Sequence, residues 1–261
     1  MLRTRVITAV IGIPLLLGIL YAGELFRLGF FLVLALVGLY EFTAMMRTAG
    51  KTGPVLPALL FMMALLLGDL TNQPLIPLLF IALLLAVFIT VVNYPRISFD
   101  NTALIMFFSA YLGICLFYAI QLSFLEQGFM ACLLAFLLTW ASDIGGYAVG
   151  RRWGKHKLAP RLSPNKSWEG ALGGIGLAAI TALVLSILTD MVTLTHAYAL
   201  VLGVVASIAA HFGDLFMSGV KRLFQVKDSG WFLPGHGGVL DRFDSFLVVA
   251  PVVYYCLQYL G

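Results

Sequence analysis

The stretch SGVKRLFQVKDSGWFLPGHGGVLDRFD, Ser218 to Asp244, gathers Lys221, Arg222, Lys227, Asp228, His236, Asp241, Arg242 and Asp244 in a chain that is only 11% charged. Carboxylates such as Asp241 and Asp244 are hard oxygen ligands for a hard cation, and adjacent lysine and arginine can hold phosphate oxygens. Pro234, Gly235, Gly237 and Gly238 break a helix and let backbone approach a ligand, with His236 offering an imidazole among them. Alone, such a glycine cluster reads as a turn. Asp244 reads equally as a ligand or as the cap of the apolar run behind it.

Just upstream, a helix continued through HFGDLFMSGVKRLFQV would set Asp214, Ser218, Lys221, Arg222 and Gln225 on one face, with Phe212, Phe216, Leu223 and Val226 away from it. A second polar segment, WASDIGGYAVGRRWGKHKLAPRLSPNKSWEG, opens with Asp143 at the end of another apolar run. A carboxylate there is costly unless it faces a polar cavity, a cation or a partner, and Arg151 or Arg152 could be that partner. Ser163, Asn165, Lys166 and Ser167 precede the next apolar run, whose first backbone N–H groups form an anion site. Capping accounts for a serine or asparagine in this position and leaves the lysine unexplained, which points to phosphate binding at Lys166. Glu41 is a weaker candidate, for which a structural pairing is the simpler reading.

The elements that position these residues follow from hydropathy. A chain that is 61% hydrophobic, with mean hydropathy +1.01, has more apolar surface than one soluble core of 261 residues can bury. Apolar runs near the ~20 residues that cross a bilayer as helix recur throughout, which excludes short alternating barrel strands. The expected fold is an all-α polytopic integral membrane protein of about nine transmembrane helices, near Val6–Ala22, Leu28–Met45, Pro54–Leu70, Leu75–Val92, Thr102–Leu122, Phe129–Val149, Gly170–Thr189, Ala197–Phe216 and Ser245–Leu260. The first run lacks a clean cleavage site and is expected to be retained rather than removed as a signal peptide. Cys115, Cys132 and Cys256 lie within apolar runs without metal-ligand spacing and are expected to pack. Residues 1–125 read as N-terminal transmembrane helices, and residues 126–261 as a C-terminal catalytic region with two motif loops.

With nine alternating spans, fifteen of the sixteen Lys and Arg residues fall on one side and only Arg27 on the other. The positive-inside rule makes that side cytoplasmic, with the N-terminus and both motif loops there and the C-terminus outside. The net charge of +4 therefore belongs to those loops, suits anionic headgroups and does not indicate nucleic-acid binding.

Carboxylates, basic groups and a close backbone at a membrane surface are suited to phosphoryl or nucleotidyl transfer, which requires charge neutralisation and in-line positioning. No Walker loop, GxSxG elbow or HExxH redirects the reading. An ion-coupled transporter remains an alternative, although its carboxylates would be expected nearer the bilayer midplane than Asp143 and Asp214.

The string Ser218 to Asp244 closely resembles the signature of the phosphatidate cytidylyltransferase family, also called CDP-diacylglycerol synthases. The family pattern of serine, Lys-Arg, Lys-Asp, His-Gly-Gly, Asp-Arg and Asp matches Ser218, Lys221, Arg222, Lys227, Asp228, His236, Gly237, Gly238, Asp241, Arg242 and Asp244. Asp143 and SPNKSWEG resemble the family's upstream block. Ser229 stands where an apolar residue is usual, a departure outside the charged set. A different enzyme class that works on related lipids, the CDP-alcohol phosphatidyltransferases, carries an Asp-Gly…Ala-Arg…Gly…Asp…Asp motif that this sequence lacks.

The resemblance implies an enzyme of the cell (inner) membrane that converts CTP and phosphatidic acid to CDP-diacylglycerol and pyrophosphate. It also implies a divalent cation, usually Mg²⁺, with the number of cations left open. Asp214 and Asp241 are then expected to bind the cation, with Asp143 and Asp244 as further ligands or orienters. Lys166, Lys221, Arg222, Lys227 and Arg242 would neutralise phosphates, while Ser163, Asn165, His236, Gly237 and Gly238 shape the contact. A homodimer suits the family, although no residue pattern here shows one.

Overall fold

The computed structural model describes residues 2–68, 74–189, 195–231 and 237–260, with side chains from 10 to 259 within those segments. Their regular elements are α1 (Leu2–Tyr21), α2 (Glu24–Thr48), α3 (Val55–Leu67), α4 (Leu75–Val92), α5 (Phe99–Ser123) and α6 (Gly128–Trp153), then the strands β1 (Lys157–Ala159) and β2 (Ser163–Ser167), then α7 (Trp168–Leu188), α8 (His196–Leu223) and α9 (Leu240–Leu260). Each expected apolar run is a helix. Six of them, α2, α4, α5, α6, α7 and α8, are long and apolar enough to cross a membrane. In α3 and the described part of α1 the apolar stretch is shorter, and α9 carries Asp241, Arg242 and Asp244 in its opening turns.

Much of the apolar surface points outward, as a bilayer requires. On α4, Ile76, Phe80, Ile81, Phe88 and Val92 are exposed, whereas small Ala82 and Ala86 face the interior. The core is aromatic: Phe42 of α2 stacks on Phe108 of α5, and Phe136 of α6 stacks on Phe246 of α9. Aromatic pairs of this kind add about 0.5–1.5 kcal/mol each beyond area burial. The three cysteines are free and at least half-buried within helices, as expected.

Three departures from the sequence expectation shape the site. The segment ahead of α7 is a hairpin: β1 and β2 pair antiparallel, with Lys157 opposite Ser167 and Ala159 opposite Ser163. Helix α8 stops at Leu223, so Gln225 and Val226 are not part of its stripe. There Gln225 adopts a left-handed φ of 57°, Val226 N–H donates to Lys221 O and Gln225 N–H donates to Arg222 O, the paired bonds of a Schellman terminus. Burial of Phe224 against Phe42 accompanies this reversal. Finally, α9 begins at Leu240 rather than Ser245, which places Asp241 in its first turn and Asp244 in its second.

Arg27, the one cation that the alternating-span count sets apart, is buried. It donates to Leu20 O at 2.8 Å and to Ser123 O at 3.0 Å, tying the C-terminal turns of α1 and α5 together. Its burial is thus compensated by carbonyls left open at two helix ends.

Candidate active site

A cavity of about 690 Å³ opens between α6, the hairpin, α7, α8 and α9. Asp143 lines it from α6, Asn165 and Lys166 from β2, Asp214 and Lys221 from α8, Asp228 from the segment after α8, and Asp241, Arg242 and Asp244 from α9. All its lining residues lie between Ser142 and Ser245. The two polar segments, separated in sequence by the whole of α7 and most of α8, thus face one space.

That space is built by glycine. Gly145, Gly146 and Gly150 of α6 meet Gly170, Gly173 and Gly174 of α7 almost backbone to backbone. A Cβ on Gly170 would stand 2.9 Å from Gly146 O and 3.1 Å from Gly150 Cα. Small residues at four-residue spacing let helices in lipid approach this closely. The approach brings Asp143 beside the start of α7, where Ser167 caps the helix by accepting from Gly170 N–H. Gly213 plays the same part between α8 and α9: a Cβ there would lie 3.1 Å from Ser245 Cα and press on the Asp244 carbonyl.

Two ion pairs cross the cavity. Lys166 Nζ lies 2.5 Å from Asp214 Oδ2, linking β2 to α8, and Lys221 Nζ lies 2.6 Å from Asp241 Oδ1, linking α8 to α9. Ser218 Oγ donates to the other Asp214 oxygen at 3.3 Å. Asp241 Oδ2 accepts from Ser229 N–H, Ser229 Oγ and Gly238 N–H at 2.7, 3.0 and 3.1 Å. Four donors around one carboxylate form the environment of an ionised group. Asp143, Asp214 and Asp244 stand within electrostatic range of one another and repel. The lining holds five aspartates against the cations Arg151, Lys166, Lys221 and Arg242. Among the described residues no three carboxylate, histidine or cysteine side chains converge on one point, and two of the aspartates are paired with lysines.

The alternative reading of Asp143, a pairing with Arg151 or Arg152, is not seen among the described residues. Arg151 donates to the Tyr147 hydroxyl, and Arg152 lies over the Trp153 ring. Nor is Asp244 an N-cap, since four residues of α9 precede it; its Oδ1 accepts from Ser245 N–H at 2.7 Å. Ser163 is paired within the hairpin, Arg222 Nε reaches Leu162 O at 3.4 Å, and Lys227 is exposed outside the cavity lining. His236 lies outside the described residues. Gly237 adopts φ +83°, and a Cβ on it would meet Asp241 Oδ2 at 2.9 Å. Gly238 is hemmed in by Ser229 Oγ and the Glu41 carboxylate. Both glycines thus admit the protein's own carboxylates at close range.

Sequence reasoning passed over three contributors. His211 lines the cavity one turn before Asp214, with Nε2 3.2 Å from Ala171 O. Its place three residues from an aspartate on one helix face was the available signal. Ser229, set aside as a departure from a pattern, is buried between two carboxylates. The glycine seam was legible as repeated small residues in GGYAVG and GALGG.

The sequence matches the model of the cytidylyltransferase family over residues 3–260. The chain belongs to the cytidylyltransferase family. It is 36% identical over 260 residues to a phosphatidate cytidylyltransferase of Staphylococcus saprophyticus, with 97% of each chain covered. A protein of the same name from Bacillus subtilis is 34% identical over 265 residues, covering 98% of this chain and 97% of its own. One from Staphylococcus haemolyticus is 38% identical over 259 residues, with 97% of each covered. Similarity to these cytidylyltransferases thus extends through α1 to α5 as well as the cavity-forming half.

Proposed function

We propose that this chain transfers the cytidylyl group of CTP to phosphatidate, giving CDP-diacylglycerol and pyrophosphate. The observation that carries this reading is the cavity itself, in which aspartates and basic side chains from α6, β2, α8, α9 and the segment after α8 meet beside helices long and apolar enough to cross a membrane. The names of the full-length relatives support it.

In the reaction, a phosphate oxygen of the lipid attacks the α-phosphorus of CTP, the α–β anhydride bond breaks, and pyrophosphate leaves with that electron pair. The attacking monoester is already anionic near neutral pH, so no strong general base is required. The obstacle is repulsion between two polyanions, and preorganised cations remove it. Lys166, Lys221 and Arg242 face the cavity and would take phosphate oxygens, with Asn165 donating beside Lys166. Which of them serves the nucleotide and which the lipid is set by the direction from which each arrives. The lipid's chains stay in the bilayer while its headgroup enters.

The aspartates suit a divalent cation: hard oxygen donors, mutually repelling and in excess over the cations that line the cavity. Asp214 and Asp241 would hold Mg²⁺ once Lys166 and Lys221 release them to phosphate oxygens, with Asp143 and Asp244 facing the same space. Bound there, the ion would neutralise triphosphate oxygens. The concentration of Lys and Arg on this side favours a cytoplasmic cavity at the cell membrane. The test is incorporation of α-labelled CTP into lipid by purified protein with and without phosphatidate. Phosphatidate-dependent labelling is expected, and none with correctly folded protein would overturn the reading.

A further inference from the structure

Among the described residues none from α1 to α5 lines the cavity, yet the Glu41 carboxylate from that half reaches the backbone of the motif loop. Glu41 of α2 is 1% exposed. Its Oε1 accepts from Val239 N–H at 2.7 Å, and its Oε2 accepts from Leu240 N–H at 2.9 Å and lies 2.9 Å from the Ser229 hydroxyl, whose single proton is shared between Glu41 and Asp241. Ser229 and Val239 flank the segment that holds the glycines, and Leu240 is the first residue of α9. A single carboxylate therefore grips both ends of that segment.

The grip is specific to a carboxylate. Each oxygen meets a backbone donor, so a carboxamide would turn its NH₂ toward an N–H whichever way it was flipped. Nothing larger than hydrogen fits opposite it: a Cβ on Gly230 would meet Glu41 Oε1 at 2.6 Å. The negative charge also sits at the start of α9, where two amides lack intrahelical partners. Through Ser229 the grip passes to the cavity, because the Ser229 hydroxyl lies 2.9 Å from Glu41 Oε2 and 3.0 Å from Asp241 Oδ2, and its N–H donates to Asp241.

We infer that Glu41 is a positioning residue for the reaction proposed above: it fixes Ser229 and the first turn of α9, and so orients Asp241 toward cation and nucleotide. Loss of a residue that orients a ligand group typically costs about 10–100-fold in metal affinity or activity. The inference rests on the proposed function and is tested against wild-type protein that shows phosphatidate-dependent labelling. Were wild type itself inactive, the functional reading would fail instead.

The experiment compares full-length wild type, Glu41→Gln and Ser229→Ala in lipid nanodiscs. It records labelling against CTP and Mg²⁺ concentration, and hydrogen–deuterium exchange without substrates. Glu41→Gln is expected to raise the half-saturating Mg²⁺ and CTP concentrations about tenfold or more. Faster exchange is expected only in peptides covering Ser229 to Leu240. Ser229→Ala should shift the same constants in the same direction by less. Unmoved half-saturation in Glu41→Gln, with only a lower maximal rate that tracks the folded fraction, overturns the inference. Exchange that quickens equally across α5 and α6 does so too. If Glu41→Gln does not accumulate as folded protein, Ser229→Ala decides, and unchanged constants and exchange there refute the role.

Discussion

Lys221 and Asp241 close the gap between α8 and α9 with a 2.6 Å ion pair whose side chains are 17% and 8% exposed. Removing one partner of a buried pair strands the other and costs about 3–5 kcal/mol; the residual access here places Lys221→Met at about 2–3 kcal/mol. Thermal unfolding should show that loss, and labelling by CTP should fall about 100-fold, the scale of one lost electrostatic contact in a transition state. Adding Asp241→Asn to Lys221→Met should recover stability and leave labelling low. Recovery of both would mean that the pair is structural only.

The second pair gives a prediction with opposite signs. Lys166 holds Asp214 at 2.5 Å and would compete with a cation for it. Lys166→Gln should therefore tighten Mg²⁺ binding measured by calorimetry without nucleotide, while raising the KM for CTP. Asp214→Asn should abolish labelling at every Mg²⁺ concentration tried. Unchanged Mg²⁺ affinity in Lys166→Gln would show that the lysine does not guard that carboxylate.

Gly213→Ala tests the contact between α8 and α9. The added methyl would press on the Asp244 carbonyl and lie 3.1 Å from Ser245 Cα, so the helices must part just where Asp214 and Asp244 face each other. Overpacking costs about 1–3 kcal/mol, and a fall in both melting temperature and labelling is expected. Gly176→Ala, with nothing within 4 Å of its Cβ, serves as the control and should leave both intact.

Arg27→Met separates architecture from chemistry. It leaves the Leu20 and Ser123 carbonyls without their donor, at a cost of about 1–3 kcal/mol for each buried group stranded. Melting temperature should fall while the KM for CTP stays at the wild-type value. A changed KM would connect this distant clamp to the cavity.

The apolar runs were legible because helix in lipid demands an unbroken stretch, and every expected run is a helix here. The meeting of Asp143, Lys166 and Asp214 was legible in outline from charge placement. Their contacts were not, since α6 and α7 approach through glycines whose effect depends on pairing across the bundle. The hairpin at Lys157–Ser167 escaped because β1 is three residues long and too short for a visible alternation. Glu41 escaped for a different reason: Val239, its partner, lies 198 positions later, a distance over which no local pattern operates.

The two lysine–aspartate pairs carry one more consequence, on the proposed assignment of Asp214 and Asp241 to the cation. At rest each ammonium already has its counter-charge. Nucleotide alone would draw the lysines away and leave two aspartates bare, whereas cation alone would leave two ammoniums unmatched. Each ligand repairs the imbalance the other creates. Binding of the two should therefore be reciprocally linked, each raising the affinity for the other by the same factor, so that the pair enters as one electrostatic unit.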